Sequence, residues 1–345
     1  MNNYATEARR RGRSLLVVEG DHEKNELFWL VFKCYPELHV DMENIWIYGT
    51  NIYMLYEDII REYGDDWENE WTDIDLPFVI SKKKNLENLC YKNDFTNIIL
   101  VFDYERHDPQ FSADKILRLQ NYFSDAADMG KLYLNYPMIE SYQHLKSLPD
   151  EEYINRKISV SLQPGSKYKE LVRNESVIEK AVDFPHRIED LLAGTRYRIE
   201  DADKRQICCD KILNISNDSE MERSLEEILR VVDDDKKART LKYQLKDWIE
   251  KVGYTHENRT YWKHMREVIG EIVCHNIEKA YVIQHEDRND SNDRKLKEQF
   301  EQVDLSQILN VQNEVSQDME NGFIWVLNTC IFLIPDYNFI FKFYI

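Results

Sequence analysis

The chain has 345 residues, of which 43% are hydrophobic and 32% are charged. This composition supports a sizeable core and excludes wholesale disorder, and ten Gly and eight Pro exclude a loop-rich protein. The length suggests two domains. The formal net charge of −19 argues against tight nucleic-acid binding by this chain unaided, because such binding relies on Lys and Arg. A local basic face or a basic partner is then required.

The sequence indicates a cytoplasmic protein with no membrane segment. Six Cys lack C-x-x-C spacing, which predicts free thiols in a reducing compartment. The first seven residues lack the apolar segment of a signal peptide. The apolar stretch Phe323–Ile334 is too short for a bilayer, which needs roughly 20 residues, so we interpret it as buried. Whether Phe323–Tyr344 completes the core or is buried by a partner stays open.

Four short apolar runs predict strands that alternate with helical segments in the first 150 residues. These runs are Ser14–Val18, Asn44–Tyr48, Asn97–Phe102 and Lys131–Asn135. Because strands that alternate with helices form parallel sheets covered on both faces, we expect an α/β domain over residues 1–150. An acidic insertion near 57–95 interrupts it, and its acidic stretch 57–75 is interpreted either as a solvated surface or as a docking site for a basic partner.

The second half of the chain has the periodicity of helices. The predicted helical segments are 167–182, 219–232, 236–252, 260–285 and 293–315. We therefore expect a mostly helical C-terminal domain over residues 151–345, for which the sequence indicates no function.

Acidic residues follow three of the predicted strands. Glu19 follows the first, Asp103 and Glu105 follow the third, and Glu140 follows the fourth. The carboxyl ends of parallel strands share the edge at which ligands bind. Carboxylates that converge there repel one another unless a cation lies among them, and all-oxygen sites suit Mg²⁺ or Mn²⁺. The sequence therefore predicts a metal site of phosphoryl-transfer type.

The same residues resemble the motifs of TOPRIM domains. Val17–Gly20, followed by Glu23 and Lys24, is similar to the first motif, an apolar strand that ends in Glu-Gly. Val101–Glu105 resembles the second motif, Asp-x-Asp, and Met138–Tyr142 resembles a segment of the OLD-type (overcoming lysogenization defect) branch. Relatives of that branch include stand-alone TOPRIM effectors that act with ABC-type ATPases in anti-phage defence, as in the phage anti-restriction-induced system. The resemblance covers about the first 150 residues.

The resemblance implies a Rossmann-like TOPRIM fold and a Mg²⁺-dependent nuclease that cleaves DNA, RNA or tRNA. It implies that Glu19, Asp103, Glu105 and Glu140 hold the metal, with Glu19 also a general acid or base. Lys24 would contact the scissile phosphate, although a solvated helix lysine fits equally well. The implied partners are a nucleic-acid substrate, an ABC-type ATPase and a second copy of the chain in a homodimer. No P-loop is present in the sequence, so an ATPase would be a separate protein.

Several alternatives remain at this point. Asp-Tyr-Glu departs from Asp-x-Asp, so the metal geometry differs from the family pattern, and the chain could instead be a non-catalytic interaction subunit on a TOPRIM scaffold. Glu19 could only cap a helix. A phospho-receiver domain is disfavoured because its acidic residues lie closer together in sequence. A primase or topoisomerase component is disfavoured because their partner domains are absent from this sequence. His107 could contact a metal-bound water.

Overall fold

The structure is a computed structural model that describes residues 13–69, 71–162, 166–194, 196–197, 199–230, 235–285, 295–338 and 340–343. Residues 1–7, on which the expectation about a signal peptide depends, lie outside this part of the chain, as do residues 231–232 and 293–294 at the ends of two predicted helical segments. None of the described helices combines the length and apolar composition needed to cross a membrane.

The chain divides into two compact units. One comprises residues 1–32, 36–176 and 271–345, and the other comprises residues 33–35 and 177–270. This division differs from the boundary predicted at residue 150. The reason is long-range strand pairing, because residues 323–328 return to pair with strands in the first half of the chain.

The strands, in chain order, are β1 Ser14–Val18, β2 Ile45–Ile47, β3 Asn97–Asp103, β4 Ser124–Asp125, β5 Gly130–Tyr136, β6 Lys157–Ser159, β7 Phe323–Trp325 and β8 Leu327–Asn328. The α-helices are α1 Trp29–Cys34, α2 Ile52–Tyr63, α3 Leu76–Lys83, α4 Ala113–Tyr122, α5 Ser166–Glu175, α6 Glu179–Val182, α7 Phe184–Ala193, α8 Ala202–Leu213, α9 Asp218–Leu229, α10 Asp235–Val252, α11 Tyr261–His285, α12 Leu296–Phe300, α13 Leu305–Val315 and α14 Leu333–Tyr337. A π-helical segment, Glu23–Phe28, runs into α1.

The main sheet has the order β2-β1-β3-β5-β4, and β8 also pairs with β5. β2, β1, β3 and β5 are parallel, whereas β4 and β8 are antiparallel to β5. The mixed α/β class, the four predicted strands and their parallel arrangement are therefore confirmed. β1 and β3 are buried almost along their whole lengths, as expected of strands with helices on both faces.

The predicted acidic insertion folds against the domain. Trp67 is fully buried and packs against the rings of Tyr56 and Tyr122 at centroid distances of 5.9 and 5.1 Å. Several of the acidic side chains form ion pairs with basic residues of the same chain, such as Glu57 with Lys115 at 2.7 Å. Part of the acidic surface is thus neutralised within the chain.

The C-terminal apolar stretch belongs to the core. Residues 326–334 are all buried, and the side chain of Asn328 donates to the carbonyl of Ile139 at 3.1 Å. None of the six cysteines forms a disulfide, and five of them are buried, as the prediction of free thiols requires.

Candidate functional site

The first two predicted site residues meet at the carboxyl edge of the sheet. Glu19 follows β1, and Asp103 is the last residue of β3, where Val18 lies opposite Val101 in the parallel pair. Oε2 of Glu19 accepts a hydrogen bond from the backbone N–H of Asp103 at 3.4 Å. Asp103 is only 4% exposed, and its Oδ1 is buried with no hydrogen-bond partner among the described residues.

A third carboxylate comes from Glu23, for which the sequence indicated no role of its own. It begins the π-helical segment and is 6% exposed. Its Oε2 accepts a hydrogen bond from the N–H of Gly20 at 2.9 Å. A Cβ at Gly20 would lie only 3.2 Å from that oxygen, so glycine permits the close approach. The signal in the sequence is an acidic residue four positions after the strand-end glutamate.

Burial and mutual repulsion disfavour the charged forms of Glu19 and Asp103. Burial raises the pKa of Glu19 to about 8, and repulsion from Glu105 and Glu23 contributes. Burial also raises the pKa of Asp103 well above its usual value, followed by repulsion from Glu19 and Glu23. Such groups stay ionised together only when a cation lies among them.

Glu105 lies at the rim of this cluster in an unusual backbone conformation. Its φ of +41° falls in the left-handed region, which is uncommon for residues other than glycine and asparagine. Burial raises the pKa of its carboxyl group, and the nearby Asp108 adds to the effect. Asn51 binds the same turn, because its Nδ2 donates to Oδ2 of Asp108 at 2.7 Å. Glu105, which stands where the family pattern has a second Asp, therefore lies in a turn that is hydrogen-bonded to the connection between β2 and α2.

Glu140 is held differently from the other carboxylates. It lies in the 3₁₀ segment Ile139–Gln143 after β5, and its Oε1 forms ion pairs with Nζ of Lys169 at 2.7 Å and Nε2 of His22 at 3.2 Å. Burial alone would raise the pKa of Glu140, but the ion pairs with His22 and Lys169 outweigh it and hold the pKa below its usual value. Burial lowers the pKa of His22, but its interactions with Glu140 and Glu26 outweigh burial and raise that pKa to about 10.

Lys169 therefore places a positive charge in direct contact with Glu140, one of the four predicted metal ligands. It lies on α5, which was predicted as part of a helical region without a function. The side chain is 41% exposed, and its ammonium group also interacts with Asp103 and Glu23. An exposed lysine on a helix carries no signal in the sequence that distinguishes it from a solvated one.

Two other predicted residues contact the backbone. Nζ of Lys24 donates to the carbonyl of Ile45 at 2.9 Å, at the start of β2. Nε2 of His107 lies against the carbonyl of Val160. Neither contact brings the side chain into the group formed by Glu19, Glu23 and Asp103.

The donor chemistry of the cluster fits a hard divalent cation. Glu19, Glu23 and Asp103 offer only oxygen, and the unpartnered Oδ1 of Asp103 is an atom that such an ion would satisfy. In the part of the chain that the structure describes, no three His, Cys, Asp or Glu side chains are placed to hold a metal ion together. Binding therefore requires side-chain rearrangement around Asp103.

A cleft of about 770 Å³ lies elsewhere in the same unit, beside the start of β5. Two charged groups on its wall pair with each other, since Nζ of Lys131 lies 2.6 Å from Oδ2 of Asp336, which the hydroxyl of Tyr133 also contacts. The carboxyl edge of the sheet is consequently the stronger candidate for a reactive site.

Comparison with known proteins does not identify a relative. No protein-family model, no curated protein and no solved structure matches the chain.

Proposed function

We propose that this chain is an endonuclease that depends on Mg²⁺ or Mn²⁺ and cleaves phosphodiester bonds of DNA or RNA. The observation that carries the proposal is the group of carboxylates at the carboxyl edge of the parallel sheet, in which the half-buried Glu19 meets the buried Glu23 and Asp103. The raised pKa values of Glu19 and Asp103, together with the unpartnered oxygen of Asp103, support a site that a cation would stabilise. The resemblance of the surrounding motifs to TOPRIM domains supports the same reaction.

The residues divide into two roles under this proposal. Glu19, Glu23 and Asp103 would hold the ion, with Glu105 at the rim. A bound divalent ion activates water and stabilises the charge of a phosphoryl transition state. Glu140 would act as a positioning residue, because it already holds Lys169 at 2.7 Å. Lys169, rather than the predicted Lys24, would then contact the phosphate.

We further propose that the chain acts as the effector of an ATPase-coupled anti-phage system. The net charge of −19 supports a requirement for a partner, because a strongly acidic protein approaches nucleic acid poorly by itself. An ABC-type ATPase is the partner that the resemblance implies.

The decisive experiment is a cleavage assay with purified protein and labelled DNA, RNA and tRNA, with Mg²⁺, Mn²⁺ or EDTA. The assay is repeated with the product of a neighbouring ATPase gene, where one is present. Glu19→Gln and Asp103→Asn should abolish cleavage. Asp128→Asn is the matched control, since Asp128 is exposed and lies in the turn before β5. Cleavage by the Glu19→Gln and Asp103→Asn variants at the wild-type rate would contradict the proposal.

Metal binding provides a readout that does not depend on activity. Calorimetric titration with Mn²⁺ should give a binding isotherm for wild type and Asp128→Asn, and a much weaker one for Asp103→Asn. Loss of a carboxylate ligand from an all-oxygen site removes both a donor and a charge.

A non-catalytic interaction subunit is the second candidate. It is favoured by the absence, among the described residues, of three side chains placed to hold a metal, and by the neutralisation of Glu140 by two basic residues. This candidate predicts no isotherm with Mn²⁺ and no cleavage, together with binding to the partner that survives both Glu19→Gln and Asp103→Asn.

A further inference from the structure

Three lysines lie near the edge strand β2: one contacts the strand, the second contacts the turn after it, and the third interacts with both of these lysines. We refer to Lys24, Lys83 and Lys84 as the lysine cluster. Lys24 reaches the carbonyl of Ile45 at the start of β2, and Nζ of Lys83 donates to Oγ1 of Thr50 at 3.0 Å, just beyond its end. Lys84 follows α3, a helix of the predicted acidic insertion, and it interacts electrostatically with both other lysines.

The lysine cluster has more positive charge than the chain itself neutralises. Lys83 forms an ion pair with Asp58 at 3.0 Å, but Asp58 is shared with Arg61 at 2.6 Å. Within the described ranges, no acidic side chain forms an ion pair with Lys24 or Lys84. Burial lowers the pKa of Lys84, and repulsion from Lys24 and Lys83 lowers it further. An anion bound between these ammonium groups would relieve that repulsion.

The lysine cluster adjoins the carboxylates through the backbone. The N–H of Gly49, in the turn after β2, donates to the carbonyl of Glu19 at 2.9 Å. Thr50, the contact of Lys83, is the next residue. Lys24 directly follows Glu23, whose carboxylate faces Gly20. Lys24 is therefore adjacent in sequence to Glu23, and Lys83 contacts the turn that is hydrogen-bonded to Glu19.

We propose that the lysine cluster binds a backbone phosphate of the nucleic-acid strand, next to the phosphate that is cleaved. The inference rests on the proposed nuclease function and names how its substrate is held. It also provides the local basic face that a chain of net charge −19 needs, since a strand contacts only the charges along its path.

The test measures binding without cleavage. The full chain is titrated against fluorescent single-stranded DNA and RNA in EDTA at several salt concentrations. Lys24→Gln and Lys84→Gln should each weaken binding on the order of threefold to tenfold. Each should also reduce the slope of log K against log salt by about 0.7. Lys297→Gln is the control, because Lys297 is 69% exposed, makes only a 3.8 Å ion pair and undergoes the same charge change.

A second measurement uses inorganic phosphate as the probe, at constant ionic strength. Phosphate should raise the unfolding temperature of wild type and Lys297→Gln more than that of Lys84→Gln. Equal oligonucleotide affinities and equal salt slopes in all variants would overturn the inference. If wild type alone binds no oligonucleotide, the phosphate result decides the lysine cluster: selective stabilisation of wild type and Lys297→Gln supports a phosphate site, and equal stabilisation of all variants overturns the inference. The nuclease proposal is decided separately, by the cleavage assay with the ATPase partner. Oligonucleotide binding with no cleavage in that assay leaves the lysine cluster standing and contradicts only the nuclease proposal.

Discussion

The carboxylate of Glu19 accepts a hydrogen bond from the backbone amide of Asp103 at 3.4 Å, although 84 residues separate them in the chain. The contact joins the ends of β1 and β3, and both carboxyl groups lie in surroundings that disfavour their charged forms. Ionisation of both groups in the folded protein therefore costs free energy, because burial and mutual repulsion disfavour their charged forms. The cost of that charge should be measurable in the stability of the protein.

The pH dependence of stability is the first prediction. The pKa of folded Glu19 is raised from 4.5 to about 8. Between these values the folded state binds more protons than the unfolded state, so the free energy of unfolding should fall as the pH rises from about 4.5 to about 8. Glu19→Gln removes this contribution. The difference between wild type and variant should change by on the order of 3 kcal/mol over that range, in favour of the variant at high pH.

Guanidinium unfolding at a series of pH values in EDTA gives both curves. Asp128→Asn should follow the wild-type curve, because that carboxylate is exposed. Parallel curves for wild type and Glu19→Gln would show that Glu19 titrates as it does in the unfolded chain, and the electrostatic account of the site would be wrong.

Removal of the Asp103 charge is the second prediction. Asp103→Asn keeps the size of the side chain and removes a buried carboxyl group whose Oδ1 has no partner among the described residues. In EDTA at pH 8 we expect the variant to be more stable than wild type by about 1 kcal/mol, since the repulsion with Glu19 and Glu23 disappears. Millimolar Mg²⁺ should stabilise wild type and leave the variant unchanged. Thermal unfolding with and without the ion measures both effects, and a variant that is less stable in EDTA would contradict the prediction.

The sheet could be predicted from the sequence because its parallel strands are buried on both faces. Ser14–Val18 and Asn97–Phe102 therefore form continuous apolar runs in the sequence, and the acidic residues that follow them fall at one edge. The meeting of Glu19 with Asp103 follows from that rule alone. Glu140 also follows β5, as predicted, and it lies within the 3₁₀ segment Ile139–Gln143.

The ion pairs around Glu140 could not be predicted. Lys169 lies on a helix whose periodicity predicts only which face is buried, and the pairing depends on how that helix packs beside the turn after β5. His22 has no neighbour in sequence that marks it as a partner of Glu140. The return of the chain to the sheet was also missed, since β8 has only two residues and leaves no periodic pattern.

The coupling between Glu140 and Lys169 is the third prediction. A double-mutant cycle with Glu140→Gln and Lys169→Met should give a coupling energy of about 1 kcal/mol, because one partner is buried and the other is 41% exposed. Lys146 and Glu175 form a comparison pair at 2.9 Å with both side chains more exposed, 51% and 29%. Their cycle should give no more than about 0.5 kcal/mol. Equal coupling in both cycles would mean that Lys169 is not specifically held beside the site.

The packing of the acidic insertion is the fourth prediction, and two tryptophans of the same segment provide a matched pair. Trp67 is fully buried between Tyr56 and Tyr122, whereas Trp71 is 89% exposed. Trp67→Ala removes a large side chain from the core and should lower the free energy of unfolding by about 3 to 5 kcal/mol. Trp71→Ala should change it by less than about 0.5 kcal/mol. Denaturant titrations of both variants measure the difference. Small effects of both substitutions would contradict the prediction and mean that the packing of the insertion contributes little to the stability of the fold.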